Sequence, residues 1–140
     1  NPKSQYPVIH LMPAQEKFMK RRSYGGTMRL GAWEALVKKN TIAWSAYDKY
    51  HGFHDKNTGL TSERHRHRYE FNDQYTNQFE KAGLMISARS KIENLVEIIE
   101  LPKDIHPFYL GTQGHPEYKS RPNKPHPIFL AFLEACINRK

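Results

Sequence analysis

The chain has 140 residues, enough for one domain, but only 38% of them are hydrophobic, a low share for a domain with a complete core. Its 22 Lys and Arg against 14 Asp and Glu give a formal net charge of +8, so anionic partners such as nucleotides or nucleic acid have to be considered. One cysteine, no signal peptide and no apolar run long enough to cross a bilayer argue against a disulfide-rich secreted protein and a membrane protein, so we expect a cytoplasmic one.

The first 37 residues predict short extended segments. The apolar run at 6–12 is typical of a short buried strand. Gly25 and Gly26 allow a backbone turn that larger side chains would forbid. Residues 27–37 predict further extended segments with a turn near Gly31.

A helix is predicted next. Asn40 or Thr41 can cap its N-terminus, since both side chains can accept a hydrogen bond from a free backbone N–H. Its apolar residues recur at helical spacing and comprise Ile42, Ala43, Ala46 and Tyr47.

Residues 63–72, ERHRHRYEFN, alternate as a strand does. The alternation puts Arg64, Arg66 and Arg68 on one face, and it puts His65, His67 and Tyr69 on the other. A row of cations repels itself unless anions lie opposite, so the strand either borders an anion site or pairs with acidic neighbours. The alternative is a solvated edge strand. The two histidines could bind a metal, but no third ligand accompanies them at a suitable spacing.

The segment from Asn72 onward predicts a helix and two strands. Asn72 or Asp73 can cap the helix, and Gly83 can end it. Residues 84–88 and 95–101 are rich in apolar side chains and predict strands joined by a polar turn.

Residues 110–122, LGTQGHPEYKSRP, contain the strongest chemical signal of the chain. Pro116 disfavours helix at His115 and predicts an extended tripeptide whose His115 and Glu117 side chains lie on the same side. A carboxylate beside an imidazole can accept the Nδ1 proton and leave Nε2 to act as a base on a nucleophile, which is two-thirds of a catalytic triad. The alternative is a surface turn in which the two side chains pair incidentally.

A last helix is predicted after Pro125 and Pro127. Its apolar side chains fall on one stripe and comprise Ile128, Phe129, Phe132, Leu133, Cys136 and Ile137. We therefore expect Cys136 to face the core, and we do not assign this thiol as the nucleophile.

Four segments together resemble one enzyme family. GGTMRLG, SERHRHRYEFN, LVEIIELP and TQGHPEYKSRPNKPHPIF are similar, in order and spacing, to the second half of the glutaminase domain of the CTP synthase family. The resemblance implies an α/β fold of the class I glutamine amidotransferase type, with a central mixed sheet flanked by helices. It also implies that glutamine hydrolysis supplies ammonia to a separate synthetase domain, where ATP, with Mg, drives amination of UTP to CTP in pyrimidine nucleotide biosynthesis.

The resemblance assigns roles to six residues. His115 matches the catalytic histidine of the family, and Glu117 matches the acid that orients it. Arg68 matches a residue that holds the carboxylate of L-glutamine, and Tyr69 helps to shape the same pocket. The last two, Thr27 and Arg29, match a regulatory lid linked to activation by GTP.

Two departures from the family pattern affect the expected activity. The Gly-rich elbow with the nucleophilic cysteine precedes these motifs in the family and is not found in residues 1–140, which we interpret as the C-terminal half of the amidotransferase domain, without the synthetase domain. Gly114 also replaces an aromatic residue of the family. We expect the isolated chain to be inactive and to hold no cofactor, and the full enzyme to be a homotetramer.

Three other functions remain open from the sequence. The chain could be a non-catalytic glutamine-binding or regulatory module, or a purely structural part of a larger domain. It could also be a basic nucleic-acid-binding domain, although interspersed acidic residues argue against that.

Overall fold

A five-stranded antiparallel sheet forms the centre of the fold. The computed structural model describes residues 4–11 and 28–138. In chain order the strands are β1 (Ile9–Leu11), β2 (Arg29–Val37), β3 (Leu60–His67), β4 (Tyr69–Phe71), β5 (Met85–Ser90), β6 (Val96–Glu100) and β7 (Leu110–Thr112). The central sheet has the order β3-β2-β5-β6-β7, while β1 pairs with β4 in a separate antiparallel ribbon. All described pairings are antiparallel, and among the described strands β3 lies at one edge of the central sheet and β7 at the other.

Three α-helices accompany the strands in these described ranges. They are α1 (Ile42–Lys49), α2 (Thr76–Lys81) and α3 (Pro127–Ile137). The hydroxyl of Thr41 accepts from the backbone N–H of Trp44 at 3.0 Å, which confirms the predicted cap of α1. The buried Glu100 carboxylate, on β6, accepts from Ile42 N at 2.6 Å and Ala43 N at 3.0 Å. The negative charge of Glu100 thus complements the helix dipole and ties α1 to the sheet.

The core of the described residues contains two clusters. The larger one joins α1 and α3 to the sheet and contains Val37, Ala43, Tyr47, Ala88, Ile98 and Ile128. The smaller one contains Phe71, Ile86 and Val96. The first helix and the strands at 85–90 and 96–100 were therefore predicted correctly from hydrophobic spacing.

Two predictions near the N-terminus were wrong. Ile9 is 60% exposed, so the first strand is not buried; among the described strands its partner is β4. No turn interrupts the chain at Gly31, because β2 keeps an unbroken register with β3 and Gly31 adopts a φ of 88° within the strand. The predicted turn at Gly25 and Gly26 lies outside the described residues.

The predicted orientation of the last helix was also wrong. Of its apolar stripe only Ile128 is buried, whereas Cys136 is exposed. The side of α3 that carries Glu134, opposite the stripe, faces α1. There Glu134 forms an ion pair with Lys49 and accepts from the Tyr50 hydroxyl at 3.0 Å. The remaining apolar side chains of the stripe are at least 37% exposed and comprise Phe129, Phe132, Leu133 and Ile137.

Candidate active site

The loop after β7 places an imidazole against a carboxylate. Nδ1 of His115 lies 2.6 Å from Oε1 of Glu117, and the two side chains are 35% and 53% exposed. The hydrogen bond to His115 lowers the pKa of Glu117, which keeps the carboxylate ionised. No hydrogen bond within the described part of the chain involves Nε2 of His115, so this nitrogen can exchange a proton with another group. The predicted contact between the two side chains is present.

The backbone of this loop differs from the predicted extended form. His115 is non-helical, with φ −107° and ψ 83°, as expected before a proline. Pro116–Tyr118 instead form one turn of 3₁₀ helix, which Pro116 can begin because its fixed φ suits that position. The turn brings the side chain of Tyr118 onto the ring of His115, with centroids 5.2 Å apart and planes 19° apart.

Strand β3 anchors the loop from one side. The backbone N–H of His115 donates to the Arg64 carbonyl at 2.7 Å. The Lys119 ammonium donates to the Ser62 carbonyl. Two carbonyls of β3 therefore hold His115 and Lys119, which lie on either side of the turn that contains Glu117.

A buried glutamate lies behind the same loop and was not identified from the sequence. Glu63 is 5% exposed and packs against Gly114, where an added Cβ would come within 2.9 Å of the Cβ of Glu63. A larger residue at position 114 would therefore collide with Glu63 unless the loop or β3 shifted. The signal was available in the strand pattern, because Glu63 alternates in step with the inward-facing His65 and so belongs to the same buried face.

Two hydrogen-bond donors and one cation surround a single oxygen of Glu63. Its Oε1 accepts from the Tyr47 hydroxyl at 2.8 Å and from Nε2 of His126 at 2.9 Å, and the Lys119 ammonium lies 3.8 Å away. Nδ1 of His126 accepts from the backbone N–H of Ile128 at the start of α3, which assigns the proton to Nε2. Burial, followed by the charge of Glu63, raises the pKa of Tyr47 well above its usual value, so this phenol stays a donor.

The predicted substrate-binding pair lies where the strand bends. β3 ends at His67, and the half-buried Arg68 separates it from β4, which starts at Tyr69. The alternation predicted through Tyr69 is thus wrong at its last two positions, because the chain leaves the central sheet to pair with β1. Tyr69, 55% exposed, lines a cavity of about 310 Å³ together with Thr112 and Gln113, which lead to the His115 loop.

A second buried charge cluster lies at the start of β2. Arg29 is 2% exposed, forms an ion pair with Glu97 on β6 and stacks over the Trp33 ring at 4.7 Å. Its Nε and Nη1 atoms are buried with no hydrogen-bond partner among the residues described. Burial raises the pKa of Glu97 even though Arg29 opposes the shift. The predicted role of Arg29 in a lid stays a prediction, and Thr27 lies outside the described residues.

Two histidines extend this cluster. Nε2 of His65 lies 3.5 Å from the Glu97 carboxylate, and Nδ1 of His65 lies 2.8 Å from Nε2 of His67. Burial lowers the pKa of His65 to about 3 and also lowers the pKa of His67, so both rings are neutral near pH 7. In the described ranges, no group of three or more His, Cys, Asp or Glu side chains could hold a metal ion.

Comparison with known proteins identifies the family. The family model for glutamine amidotransferase class-I matches residues 17–135, which is most of the chain. The chain belongs to the glutamine amidotransferase class-I family. The α/β fold expected for such a domain is confirmed by a solved structure of the Trypanosoma brucei CTPS glutaminase domain with bound acivicin. That structure matches with a TM-score of 0.79 and 33% sequence identity, over 100% of this chain and 49% of the other.

Within the class I amidotransferases, the chain is similar to CTP synthases. It is 45% identical to the enzyme of Clostridium kluyveri over 140 residues and 46% identical to that of Aquifex aeolicus, in both cases over 100% of this chain and 24% of the relative. The Mycobacterium tuberculosis enzyme is 44% identical over 141 residues, 22% of its length. The chain thus spans about a quarter of the length of these relatives, and the predicted resemblance to the CTP synthase glutaminase domain is confirmed.

The helices of this class I amidotransferase chain are short. None of those in residues 4–11 and 28–138 combines the length and apolar character needed to cross a bilayer.

Proposed function

We propose that His115 and Glu117 form the proton-transfer half of a glutaminase site that releases ammonia from L-glutamine. The observation that carries this proposal is the 2.6 Å contact between Nδ1 of His115 and the Glu117 carboxylate. With Nδ1 donating to Glu117, Nε2 is unprotonated and can accept a proton. Membership in the class I amidotransferase family supplies the substrate class.

His115 would serve as base and then as acid. Nε2 takes the proton of a cysteine thiol, and the thiolate attacks the carboxamide carbon of glutamine. His115 returns that proton to the departing nitrogen, which leaves as ammonia and yields a glutamyl thioester. Water then attacks the thioester with His115 again as the base, and glutamate is released. Glu117 holds the ring and stabilises the imidazolium form at each step.

Arg68 and Tyr69 complete the substrate-binding part of the proposal. A guanidinium can bind a carboxylate through two parallel hydrogen bonds, which suits the α-carboxylate of L-glutamine. The support is the position of this pair at the bend after β3, with Tyr69 in the cavity that also contains Gln113.

The nucleophile is proposed to come from outside these 140 residues. Cys136, the single cysteine of the sequence, is exposed near the C-terminal end of α3, where the family pattern has no nucleophile. We therefore expect the 140-residue chain alone not to hydrolyse glutamine.

In the complete enzyme, the ammonia would be used by a synthetase domain. We propose ATP-dependent amination of UTP to CTP there, with ATP and Mg bound by that domain and GTP acting as an activator through Thr27 and Arg29. A cytoplasmic homotetramer is part of the same proposal. The support is the similarity to CTP synthases over the whole chain.

The test uses the complete polypeptide to which these residues belong. We expect ammonia release from glutamine to fall by about 10²-fold or more in His115→Ala, since the general base is lost. Glu117→Gln should lower kcat with little change in KM for glutamine. CTP formation from free ammonia is the control, because it bypasses the glutaminase site. Unchanged glutamine hydrolysis in His115→Ala would contradict the proposal.

A further inference from the structure

We infer that Glu63 is a positioning residue for His115, and that Tyr47 and His126 hold Glu63 in place. The inference deepens the proposed glutaminase function and rests on it for its catalytic consequence. Glu63 makes no hydrogen bond to the His115–Glu117 pair; it acts on the backbone that carries the pair.

Glu63 contacts the loop that carries His115. Gly114 is buried against the Cβ and Cγ of Glu63, at 2.9 and 3.3 Å from an added Cβ, so the Gly114 backbone lies closer to the Glu63 side chain than a residue with a Cβ would permit. The next residue, His115, donates its backbone N–H to the carbonyl of Arg64, the neighbour of Glu63. A shift of Glu63 would therefore move the backbone from which the His115 ring projects.

The side chain of Glu63 is itself held by two hydrogen bonds. Its Oε1 accepts from Tyr47 of α1 and from His126 at the N-terminus of α3. All three residues are at most 5% exposed, so these hydrogen bonds do not compete with water. Two helices thus fix one carboxylate oxygen, and the carboxylate transmits their position to the loop.

Glu63 also forms an ion pair with Lys119, which follows the proposed catalytic pair in the chain. The Lys119 ammonium lies 3.8 Å from Oε1, and Lys119 also donates to the carbonyl of Ser62. Lys119 follows the 3₁₀ turn that contains Glu117, so attraction to Glu63 draws that turn toward β3. Glu63 therefore acts on both ends of the segment that carries the proposed catalytic pair.

The experiment compares three variants in the complete polypeptide. Glu63→Leu keeps the bulk but removes both acceptor oxygens, while Glu63→Gln keeps one acceptor for Tyr47 and His126. Ile86→Val, in the smaller core cluster, is a matched control for a modest loss of stability. The readouts are kcat and KM for glutamine hydrolysis, and the rate at which diethyl pyrocarbonate modifies His115 at pH 7, followed by peptide mass spectrometry.

A positioning role predicts a specific pattern. Glu63→Leu should lower kcat by about tenfold or more with KM within about twofold, because misplacement of a reacting group costs rate without loss of substrate binding. It should also change the modification rate of His115. In Glu63→Gln, kcat and the modification rate of His115 should both lie close to those of the unaltered polypeptide. Ile86→Val should change neither kcat nor the modification rate. If Glu63→Leu does not fold, Tyr47→Phe takes its place, since it removes one of the two buried donors and should give a smaller effect of the same kind.

The outcomes separate this inference from the proposed function. If kcat and the modification rate of His115 are the same in Glu63→Leu as in Ile86→Val, Glu63 has only a structural role and the inference is overturned. The same comparison applies to Tyr47→Phe if that variant is used instead. If the unaltered polypeptide shows no glutaminase activity, the proposed function fails. A change in His115 modification would then still support the positioning of this ring by Glu63.

Discussion

Replacement of His65 by glutamine should make the protein less sensitive to acid. His65 is 2% exposed, and its ring lies between His67 and the Arg29–Glu97 ion pair. Its pKa is lowered from 6.5 to about 3, by burial first and then by the charge of Arg29. The folded state therefore keeps this ring neutral at pH values where the unfolded chain protonates it.

This difference in the pKa of His65 between the folded and unfolded states sets how the free energy of unfolding changes with pH. A depressed pKa contributes stability that is present above pH 6.5 and is lost as the pH falls toward 3. Each pH unit in this window changes the free energy of unfolding by about 1.4 kcal/mol, so a fall from pH 6.5 to 4.5 should remove about 2 to 3 kcal/mol. Glu97 and Glu70 act in the opposite direction, since burial raises the pKa of both carboxyls. The two carboxyls are present in both proteins, so their contributions largely cancel when the variant is compared with the unaltered chain.

Urea unfolding at pH 7.5 and at pH 4.5 provides the assay. The loss of unfolding free energy between the two pH values should be about 2 to 3 kcal/mol smaller in His65→Gln than in the unaltered protein. His54→Gln, which replaces an exposed histidine, is the control and should leave the loss unchanged. An equal loss in His65→Gln and the unaltered protein would refute the reasoning, because it would mean that burial of His65 does not exclude its proton.

Three further predictions concern stability and exposure. Arg29→Met should lower the free energy of unfolding by about 3 to 5 kcal/mol because Glu97 is left buried without its cation, and a second change, Glu97→Leu, should recover much of the loss in thermal unfolding. Gly114→Ala should cost about 1 to 3 kcal/mol, since its methyl group meets Glu63; equal melting temperatures would argue against that contact. Cys136 should react with iodoacetamide in the folded chain as fast as in urea, and protection until unfolding would show that α3 is oriented otherwise.

Much of the fold follows from local patterns. Thr41 caps α1, Gly83 follows the end of α2, and the strands at 85–90 and 96–100 fall where apolar residues cluster. These features depend on caps, glycines and spacing within a few residues, which a sequence displays directly.

The wrong predictions concern which part of the chain a helix or strand contacts. The stripe on α3 identifies an apolar face, but it is the Glu134 side that contacts Lys49, and that pairing joins residues far apart in the chain. The alternation of 63–72 likewise predicts a strand but cannot show that the chain bends at Arg68 to pair elsewhere. Long-range partners of this kind have no local signal.

The contact between His115 and Glu117 was predictable from the sequence, whereas the residues that hold their loop were not. The His115 and Glu117 pair follows from two residues on either side of a proline. The Glu63 support depends on Tyr47 and His126, which lie 16 residues before it and 63 after it. The composition gave no reason to connect those three positions.

The anchoring of the His115 loop also covers part of the outer edge of β3. Among the described strands β3 lies at an edge of the central sheet, and such edges can recruit a strand from another molecule. Here the carbonyls of Ser62 and Arg64 are already occupied by Lys119 and His115. The loop that carries the proposed catalytic pair therefore shields the edge, and any change that displaces the loop would expose a surface for intermolecular strand pairing. Loss of the site and a tendency to self-associate should consequently appear together.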